Sequence, residues 1–150
     1  MPIRRARPEE APLLTALIWR SKAHWGYDAE HLARIRATMR ITPEQIDAHP
    51  VYVLEDDHGQ ILGYYFLRPY ETGIVLEDLF LEPQAIGKGH GKRLFTHALE
   101  QARARGYAEM TWESDAHAEG FYRAMGAERI GQRLSPIEDQ LLPLMRFVLK

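Results

Sequence analysis

The residues whose type and spacing could do chemistry are three glycines at alternate positions, Gly87, Gly89 and Gly91, directly after the apolar run 74–81. Without Cβ atoms the backbone here can bend tightly and turn successive N–H groups toward one anion. The residues that follow carry apolar side chains at helical spacing, so the start of a helix would add its unpaired donors and positive dipole end. The pattern predicts a phosphate-binding turn, although an ordinary flexible turn between a strand and a helix would also be glycine-rich.

Two familiar phosphate motifs are excluded by their spacing. A Walker loop needs a glycine five residues before Gly91, where Ile86 stands, and a Ser or Thr after the lysine, where Arg93 stands. A dinucleotide fingerprint opens the first strand–helix unit with a different glycine spacing, whereas these glycines lie past the middle of the chain. A protein that binds ATP or NAD is therefore a weak interpretation.

Composition limits the remaining possibilities. The chain has 150 residues, is 45% hydrophobic and 27% charged, and has a formal net charge of −2, which predicts one globular domain over residues 1–150. Without a global basic field, we expect neither a nucleic acid nor a membrane as partner. The chain has no cysteine, so disulfides and thiolate chemistry are excluded. Because the N-terminal residues have no apolar signal segment, we expect a cytoplasmic protein.

The glycine turn must be positioned by the elements around it. Apolar periodicity and turn residues predict the order strand, two helices, three strands, helix, strand, helix, two strands. The predicted strands cover 3–7, 51–55, 61–68, 74–81, 110–113, 129–134 and 141–149, and the predicted helices cover 8–22, 29–40, the stretch from the glycine turn to 105, and 116–125, with a further short turn of helix at 42–45. This order indicates one mixed sheet covered by helices, of the α/β or α+β class.

Three local signatures, in this order, resemble the GNAT superfamily of acetyl-CoA-dependent N-acetyltransferases. The first is Leu79-Phe80-Leu81-Glu-Pro followed by Gln84-x-x-Gly87-x-Gly89, and the second is Phe121-Tyr122-Arg-Ala-Met-Gly126-Ala. The third is the element order itself, from residue 3 to residue 149. The resemblance implies a single mixed, mostly antiparallel sheet of six to seven strands with about four flanking helices.

The resemblance also implies a donor site. In this family the fourth strand carries a bulge and splays from the fifth, which opens a slot for the pantetheine arm of acetyl-CoA. Carried onto this chain, the fourth strand pairs with the arm and the glycine turn holds the pyrophosphate. The implied cofactor-binding residues are Leu79, Phe80, Leu81, Gln84, Gly87, Lys88, Gly89, His90, Gly91 and Lys92, with His117 where many members carry a cofactor-contacting Asn.

The implied reaction is direct acetyl transfer from sulfur to an amine, which needs a proton acceptor for the amine and a donor for the thiolate. Tyr122 matches the family's tyrosine donor; the alternative is a half-buried aromatic on a core helix face. Glu77 and Asp78 are the candidate bases. In a regular strand adjacent side chains point to opposite faces, so only one could face the slot. Strict alternation puts Glu77 on the same face as Leu79 and Leu81 and so favours it as the carboxylate that faces the slot. A bulge between them would shift this alternation by one residue.

In the family, the first two helices and the loop between the last two strands wall the acceptor side. The resemblance therefore places Trp25 and Tyr27 in the acceptor site, opposite residues 135–140, although aromatic residues here could equally pack the first helix onto the sheet. A small-molecule amine, a peptide N-terminus and a lysine side chain all remain open as acceptors. No metal is expected, because the histidines form no i,i+4 pair on a helix.

The last strand is more apolar than a one-sided edge strand requires, so it is either central or covered by a second subunit. A homodimer is one interpretation. For the chain as a whole, the alternative to an enzyme is a non-catalytic module that binds acyl-CoA and senses it, since both would use the same glycine turn.

Overall fold

The computed structural model describes residues 2–135 and 140–149. In chain order the strands are β1 Ile3–Arg5, β2 Val51–Glu55, β3 Ile61–Tyr70, β4 Gly73–Leu81, β5 Glu109–Glu113, β6 Glu128–Ser135 and β7 Gln140–Val148. The α-helices are α1 Ala11–Ala23, α2 Ala29–Thr38, α3 Pro43–Ala48, α4 His90–Ala104 and α5 Glu119–Ala124, with 3₁₀ turns at Pro8–Glu10, Pro83–Ala85 and Ala116–Ala118. The predicted order of strands and helices is confirmed, except that the short turn expected at 42–45 is a six-residue helix, α3, which makes five α-helices where about four were expected.

The seven strands form one sheet in the order β1-β2-β3-β4-β5-β7-β6. Every neighbouring pair is antiparallel except β4 and β5, which run parallel. This matches the mixed, mostly antiparallel sheet that the family resemblance implies. Strand β7 lies between β5 and β6, so its apolar sequence belongs to an internal strand and not to an edge.

The parallel pair is short. Strands β4 and β5 are in register only at Ile74 with Met110 and at Val75 with Thr111. On its other side β4 stays paired with β3 as far as Leu81. The edge of β4 that faces β5 is therefore without a strand partner from Leu76 onward, and the two strands open a cleft in the middle of the sheet.

A β-bulge in β4 interrupts its pairing with β3. Phe66 lies opposite Asp78 and the next residue, Leu67, lies opposite Leu76, which leaves Glu77 as the extra residue. Such a bulge breaks the alternation of side chains between the two faces of a strand. Leu76 and, two residues past the bulge, Leu79 both pack against the core cluster on the α4 side. Strict alternation would have put these two leucines on opposite faces.

Two apolar cores cover the two faces of the sheet. One contains Leu94, Phe95 and other residues of α4 packed on Leu76 and Met110. The other contains the apolar stripe of α1 packed on β2 and β3. The stripe of α1 comes directly from the predicted helical spacing, and Trp19 joins this second core, with its Nε1 donating to the carbonyl of Met39 at 2.9 Å.

Local signals explain where the helices that flank the cleft begin. Helix α4 starts after Gly89, whose φ of 84° is in the left-handed region that favours glycine. Helix α1 is tied to the end of β4 by Arg20, whose guanidinium donates two hydrogen bonds, at 2.8 and 2.6 Å, to the carboxylate of Glu82. These two anchors hold α1 and the start of α4 on either side of the strand end.

Several predicted boundaries were wrong by a few residues. β1 ends at Arg5, and residues 8–10 form a 3₁₀ turn before α1. Pro12, in the first turn of α1, has no N–H to donate to the carbonyl of Pro8, so one α-helix cannot run on from residue 8. The helix expected over 116–125 is a 3₁₀ turn followed by a six-residue α-helix. Of the predicted acceptor loop at 135–140, residues 136–139 lie outside the described residues, and its two ends belong to β6 and β7.

Candidate active site

The cleft between β4 and β5 continues into a groove beside the glycine turn, which we call the glycine groove. It has a volume of about 350 Å³. Its lining residues are Ser21, Lys22, Trp25, Leu79, Phe80, Leu81, Ile86, Gly87, Gly89, Gly91, Lys92, Asp115, His117, Ala118, Phe121 and Tyr122. The end of β4, the glycine turn and the start of α5 thus meet in one concave surface.

The backbone of the glycine turn has the conformation that only glycine adopts readily. Gly87 and Gly89 have φ values of 82° and 84°, and a Cβ built on either residue would meet no atom within 4 Å. These positions are therefore glycine because of the positive φ and not for lack of space. The first N–H groups of α4 follow at once and have no helical carbonyl to accept them, and Gly91 and Lys92 of this first turn line the same groove.

A second concavity lies on the α1 side of the sheet, around the β4 bulge, and we call it the bulge cavity. It has a volume of about 540 Å³. It is lined by Lys22, Met39, Tyr70, Val75, Leu76, Glu77, Asp78, Leu79, Phe80, Trp112, Glu113, Asp115, Ala118, Tyr122, Arg133, Ser135 and Leu142. The glycine groove and the bulge cavity share six lining residues, which form a common wall: Lys22, Leu79, Phe80, Asp115, Ala118 and Tyr122.

The two bulge carboxylates line the same cavity, so the expectation that only one could face it was wrong. The reason is the bulge, because Glu77 follows Leu76 and Asp78 precedes Leu79, and both leucines pack on the α4 side. Each carboxylate accepts a hydrogen bond from a tyrosine hydroxyl at 2.9 Å, Glu77 from Tyr70 and Asp78 from Tyr64.

The environments of the two carboxylates differ. Glu77 is exposed, whereas Asp78 sits against the fully buried Tyr64. Burial raises the pKa of Asp78 from its ordinary value of 3.8 to about 6, against the opposing effect of the Tyr64 hydrogen bond. Asp78 is thus an ionised carboxylate near neutral pH whose affinity for a proton is far above that of an exposed aspartate.

Tyr122 lies in the common wall. It is 6% exposed and packs edge to face on Trp112, with the ring centres 4.9 Å apart. Burial, followed by the nearby charges of Asp115 and Asp78, raises the pKa of the Tyr122 hydroxyl well above its ordinary value. The hydroxyl therefore keeps its proton at neutral pH and can donate a hydrogen bond or the proton itself.

A buried ion pair completes the common wall, and sequence reasoning missed it. The Nζ of Lys22 lies 2.7 Å from Oδ2 of Asp115, and the Lys22 side chain is only 6% exposed. Burial alone would raise the pKa of Asp115, but the charge and the hydrogen bond of Lys22 outweigh it and the pKa is lowered. The sequence did contain a signal for the burial of Lys22, because this lysine follows Ile18 by four residues and so lies on the apolar stripe of α1.

Eight of the residues predicted for the cofactor line the glycine groove, and three do not. Gln84 lies exposed on the 3₁₀ turn, Lys88 is exposed outside the lining, and His90 is buried at the first position of α4. His117, which stands where many family members carry Asn, lines the glycine groove. Its ring stacks on the ring of Trp25, with the ring centres 4.7 Å apart.

Of the two aromatic residues predicted for the acceptor, Trp25 lines the glycine groove, and Tyr27 contacts Gln140 at the end of the predicted acceptor loop. Trp25 is 40% exposed and lines the glycine groove, because the turn after α1 folds over the 3₁₀ turn that carries His117. Tyr27 is in neither lining, and its hydroxyl lies 3.3 Å from Oδ2 of Asp115. Tyr27 thus connects Asp115 of the common wall to Gln140, whose amide donates to the Tyr27 hydroxyl at 3.3 Å.

Within residues 2–135 and 140–149, no group of three or more His, Asp and Glu side chains lies close enough to hold a metal ion. In the same ranges, no helix has the length and apolar character needed to cross a membrane.

Comparison with known proteins identifies the family. The model of the acetyltransferase (GNAT) family matches residues 14–127, which include the bulge, the glycine turn and Tyr122. The chain belongs to the GNAT family. This acetyltransferase is similar to the peptidyl-lysine N-acetyltransferase YjaB of Salmonella typhimurium, with 31% identity over 137 residues that cover 91% of this chain and 88% of the relative.

A second relative has a different named substrate. The L-methionine sulfoximine/L-methionine sulfone acetyltransferase of Pseudomonas aeruginosa is 29% identical over 142 residues, covering 87% of this chain and 81% of the relative. Among solved structures, the fold is similar to PaiA N-acetyltransferase from Thermoplasma acidophilum in complex with coenzyme A. The TM-score is 0.77 with 16% identity, and the match covers 98% of each chain. The chain is an acetyltransferase with the GNAT fold.

Proposed function

We propose that this acetyltransferase, as a single domain over residues 1–150, transfers acetyl from acetyl-CoA directly to a primary amine of a small molecule or peptide. The observation that carries the proposal is the common wall of the glycine groove and the bulge cavity. A donor in the groove and an acceptor in the cavity would meet at this wall, where Tyr122 lies. Direct transfer needs that contact and no covalent enzyme intermediate.

The glycine groove fits acetyl-CoA on two grounds. The glycine turn and the first turn of α4 offer backbone N–H groups to a pyrophosphate. The unpaired edge of β4, around Leu79 and Leu81, offers N–H and C=O groups to the amides of a pantetheine arm. The coenzyme A complex of a protein with the same fold supports this use of the groove. Lys92 at the groove end adds a positive charge.

We assign the base to Asp78. An alkylammonium must lose a proton before its nitrogen can attack, and a carboxylate with a pKa of about 6 accepts that proton more readily than an exposed one. The neutral nitrogen then forms the C–N bond to the acetyl carbon as the C–S bond breaks. The nitrogen loses its second proton to solvent, which gives the neutral amide and balances the proton that the sulfur gains. Glu77, on the same cavity and held by Tyr70, adds negative charge that attracts the cationic amine.

We assign the proton donor to Tyr122. The electron pair of the broken C–S bond remains on sulfur as a thiolate, which is more stable if a proton or hydrogen bond reaches it. The Tyr122 hydroxyl makes no hydrogen bond to another described residue and lies in the wall that both concavities share. It is therefore available to the leaving sulfur.

The relatives support an amine acceptor of either class. One is named for peptidyl-lysine and the other for an amino-acid derivative. Both are compatible with a bulge cavity that carries two carboxylates, because both present an amine that is cationic at neutral pH.

The first experiment is thermal melting with acetyl-CoA, coenzyme A, ATP and NAD in parallel, since a ligand that binds only the folded chain raises the melting temperature. We expect acetyl-CoA and coenzyme A alone to raise it. Thiol release from acetyl-CoA with a library of primary amines then tests transfer. Stabilisation by coenzyme A without thiol release from any amine would indicate the non-catalytic acyl-CoA-binding module instead.

A homodimer is a separate proposal. Leu134 and Leu141 face each other across β6 and β7, and they are 60% and 51% exposed. An exposed apolar pair on the edge strand β6 and its neighbour β7 favours association of two copies. A mass of 17.3 kDa by light scattering, the mass of one chain, would contradict it.

A further inference from the structure

Two buried side-chain donors in the described ranges have no hydrogen-bond partner: Nε of Arg68 and Nε1 of Trp112. An unsatisfied buried donor costs about 1–3 kcal/mol, so native structures rarely keep one without a reason. One of the two residues lines the bulge cavity and the other lies next to its lining. Trp112 lines it, and Arg68 is the cross-strand neighbour of Val75, which also lines it.

The sheet places these two residues at the point where the cleft opens. Arg68, Val75 and Thr111 form one row across β3, β4 and β5, and Trp112 follows Thr111. Beyond this row β4 and β5 separate. Since neighbouring strands are about 4.8 Å apart, the backbones of Arg68 and Thr111 lie about 10 Å from each other.

Arg68 lies on the α1 side of the sheet, where the bulge cavity opens. It follows Phe66 by two residues, and its guanidinium carbon lies 5.4 Å from the centre of the Phe66 ring. Its charge also reaches Asp78, since Arg68 is among the groups that lower the pKa of that carboxyl. Asp78 is the cross-strand partner of Phe66, so Arg68 and Asp78 both neighbour Phe66 on this face of the sheet.

Some of the charged side chains around the bulge cavity form ion pairs with each other and some do not. The two cations of its lining are paired, Lys22 with Asp115 at 2.7 Å and Arg133 with Glu113 at 2.6 Å. Arg68, by contrast, has no hydrogen bond or ion pair with any residue that the structure describes. Apart from these pairs, the two bulge carboxylates line the cavity, and the guanidinium of Arg68 belongs to the strand position next to the lining residue Val75.

We propose that the acceptor is a free amino acid or a similarly compact amine that also carries a carboxylate, with Arg68 binding the carboxylate. This inference rests on the proposed transfer and names its substrate class. The amine lies at the bulge carboxylates, and the carboxylate accepts hydrogen bonds from the guanidinium, including its buried Nε–H. The indole N–H of Trp112 donates to an oxygen of the same acceptor. A lysine side chain offers an amine without an oxyanion and leaves Arg68 unpaired.

The test compares matched acceptors at one pH with acetyl-CoA, by thiol release. The twenty free L-amino acids are each paired with the carboxamide and the decarboxylated amine, and an end-blocked Gly-Lys-Gly peptide stands for lysine acceptors. We expect at least one free amino acid to exceed its amide, its amine and the peptide by about tenfold or more in kcat/KM. A site built for a charged group rejects analogues that lack it.

Arg68→Gln should remove that preference by lowering kcat/KM for the acid, while values for the amide stay within about threefold. Arg133→Gln is the matched variant, because its guanidinium is already paired with Glu113. Thermal stabilisation by coenzyme A confirms that each variant is folded. If Arg68→Gln fails to fold, Arg68→Lys keeps the charge without the planar fork and should show an intermediate preference.

Several results would overturn the inference. Equal or better turnover of the amides or of the lysine peptide would remove the carboxylate from recognition and leave acetyl transfer intact. A preference that survives Arg68→Gln, or that disappears in Arg133→Gln instead, would assign recognition to another residue. No thiol release from any amine would refute the proposed transfer itself, and the substrate class would fall with it.

Discussion

Replacing Asp78 by asparagine should stabilise the fold while abolishing activity. Asparagine keeps nearly the same shape, and its amide oxygen can still accept the hydrogen bond from Tyr64. It cannot ionise, so it avoids the cost of a negative charge in a buried setting. Burial at this position therefore raises the pKa of Asp78 and lowers the stability of the fold, a combination that is common for catalytic carboxylates.

The magnitude follows from the pKa of Asp78, which burial raises from 3.8 to about 6. Between these values the folded chain binds more protons than the unfolded chain, so stability falls as pH rises through the interval. One pKa unit corresponds to about 1.4 kcal/mol, which makes the full loss about 3 kcal/mol. From this linkage alone, Asp78→Asn should exceed the wild type by about 1 kcal/mol at pH 4.5 and about 3 kcal/mol at pH 7.5.

Urea denaturation at both pH values measures the free energy of unfolding of the wild type and the variant. Glu77→Gln is the matched control, since it removes a charge from the exposed neighbouring position and should change stability by less than about 0.5 kcal/mol. In wild-type enzyme, kcat/KM should rise with pH through an apparent pKa of about 6, and Asp78→Asn should lose this limb with most of its activity. An Asp78→Asn variant that is less stable than wild type at pH 7.5, or a difference that does not grow with pH, would refute the reasoning.

Three further substitutions test other parts of the site. Tyr122→Phe should lower kcat at least about a hundredfold, with acetyl-CoA still raising the melting temperature, because only the proton donor is lost. Gly63→Ala should cost about 1–3 kcal/mol in urea denaturation, since the new methyl group would lie 2.6 Å from a Leu81 methyl carbon. Lys22→Met should cost about 3–5 kcal/mol by leaving the largely buried Asp115 carboxylate without its cation, and adding Asp115→Asn should restore most of that loss.

The order of elements could be predicted because each signal is local. The stripe of α4 and the glycine turn before it are readable from neighbouring residues. The boundaries were less accurate where a proline or a short 3₁₀ turn modified a helix start, as at Pro8 and Ala116. The bulge could be expected from the family resemblance, but its residue, Glu77, was fixed only by the register of β3 against β4.

The pairing of distant side chains could not be predicted. Lys22 and Asp115 are 93 residues apart, and nothing near either residue names the other. Arg68 was unremarkable in the sequence, since an arginine at the end of a strand is usually solvated. Its importance comes from its burial and its missing partner, and both depend on which strands surround it.

The sequence by itself determined the element order, the glycine turn and the family, because backbone propensities, left-handed glycines and helical periodicity act within a few residues of the chain. The tertiary structure alone decided that the two bulge carboxylates share one cavity, that a buried ion pair stands in the common wall, and that one arginine beside it is unpaired. Burial and electrostatic coupling depend on distance in space, and the packing of the whole sheet sets that distance.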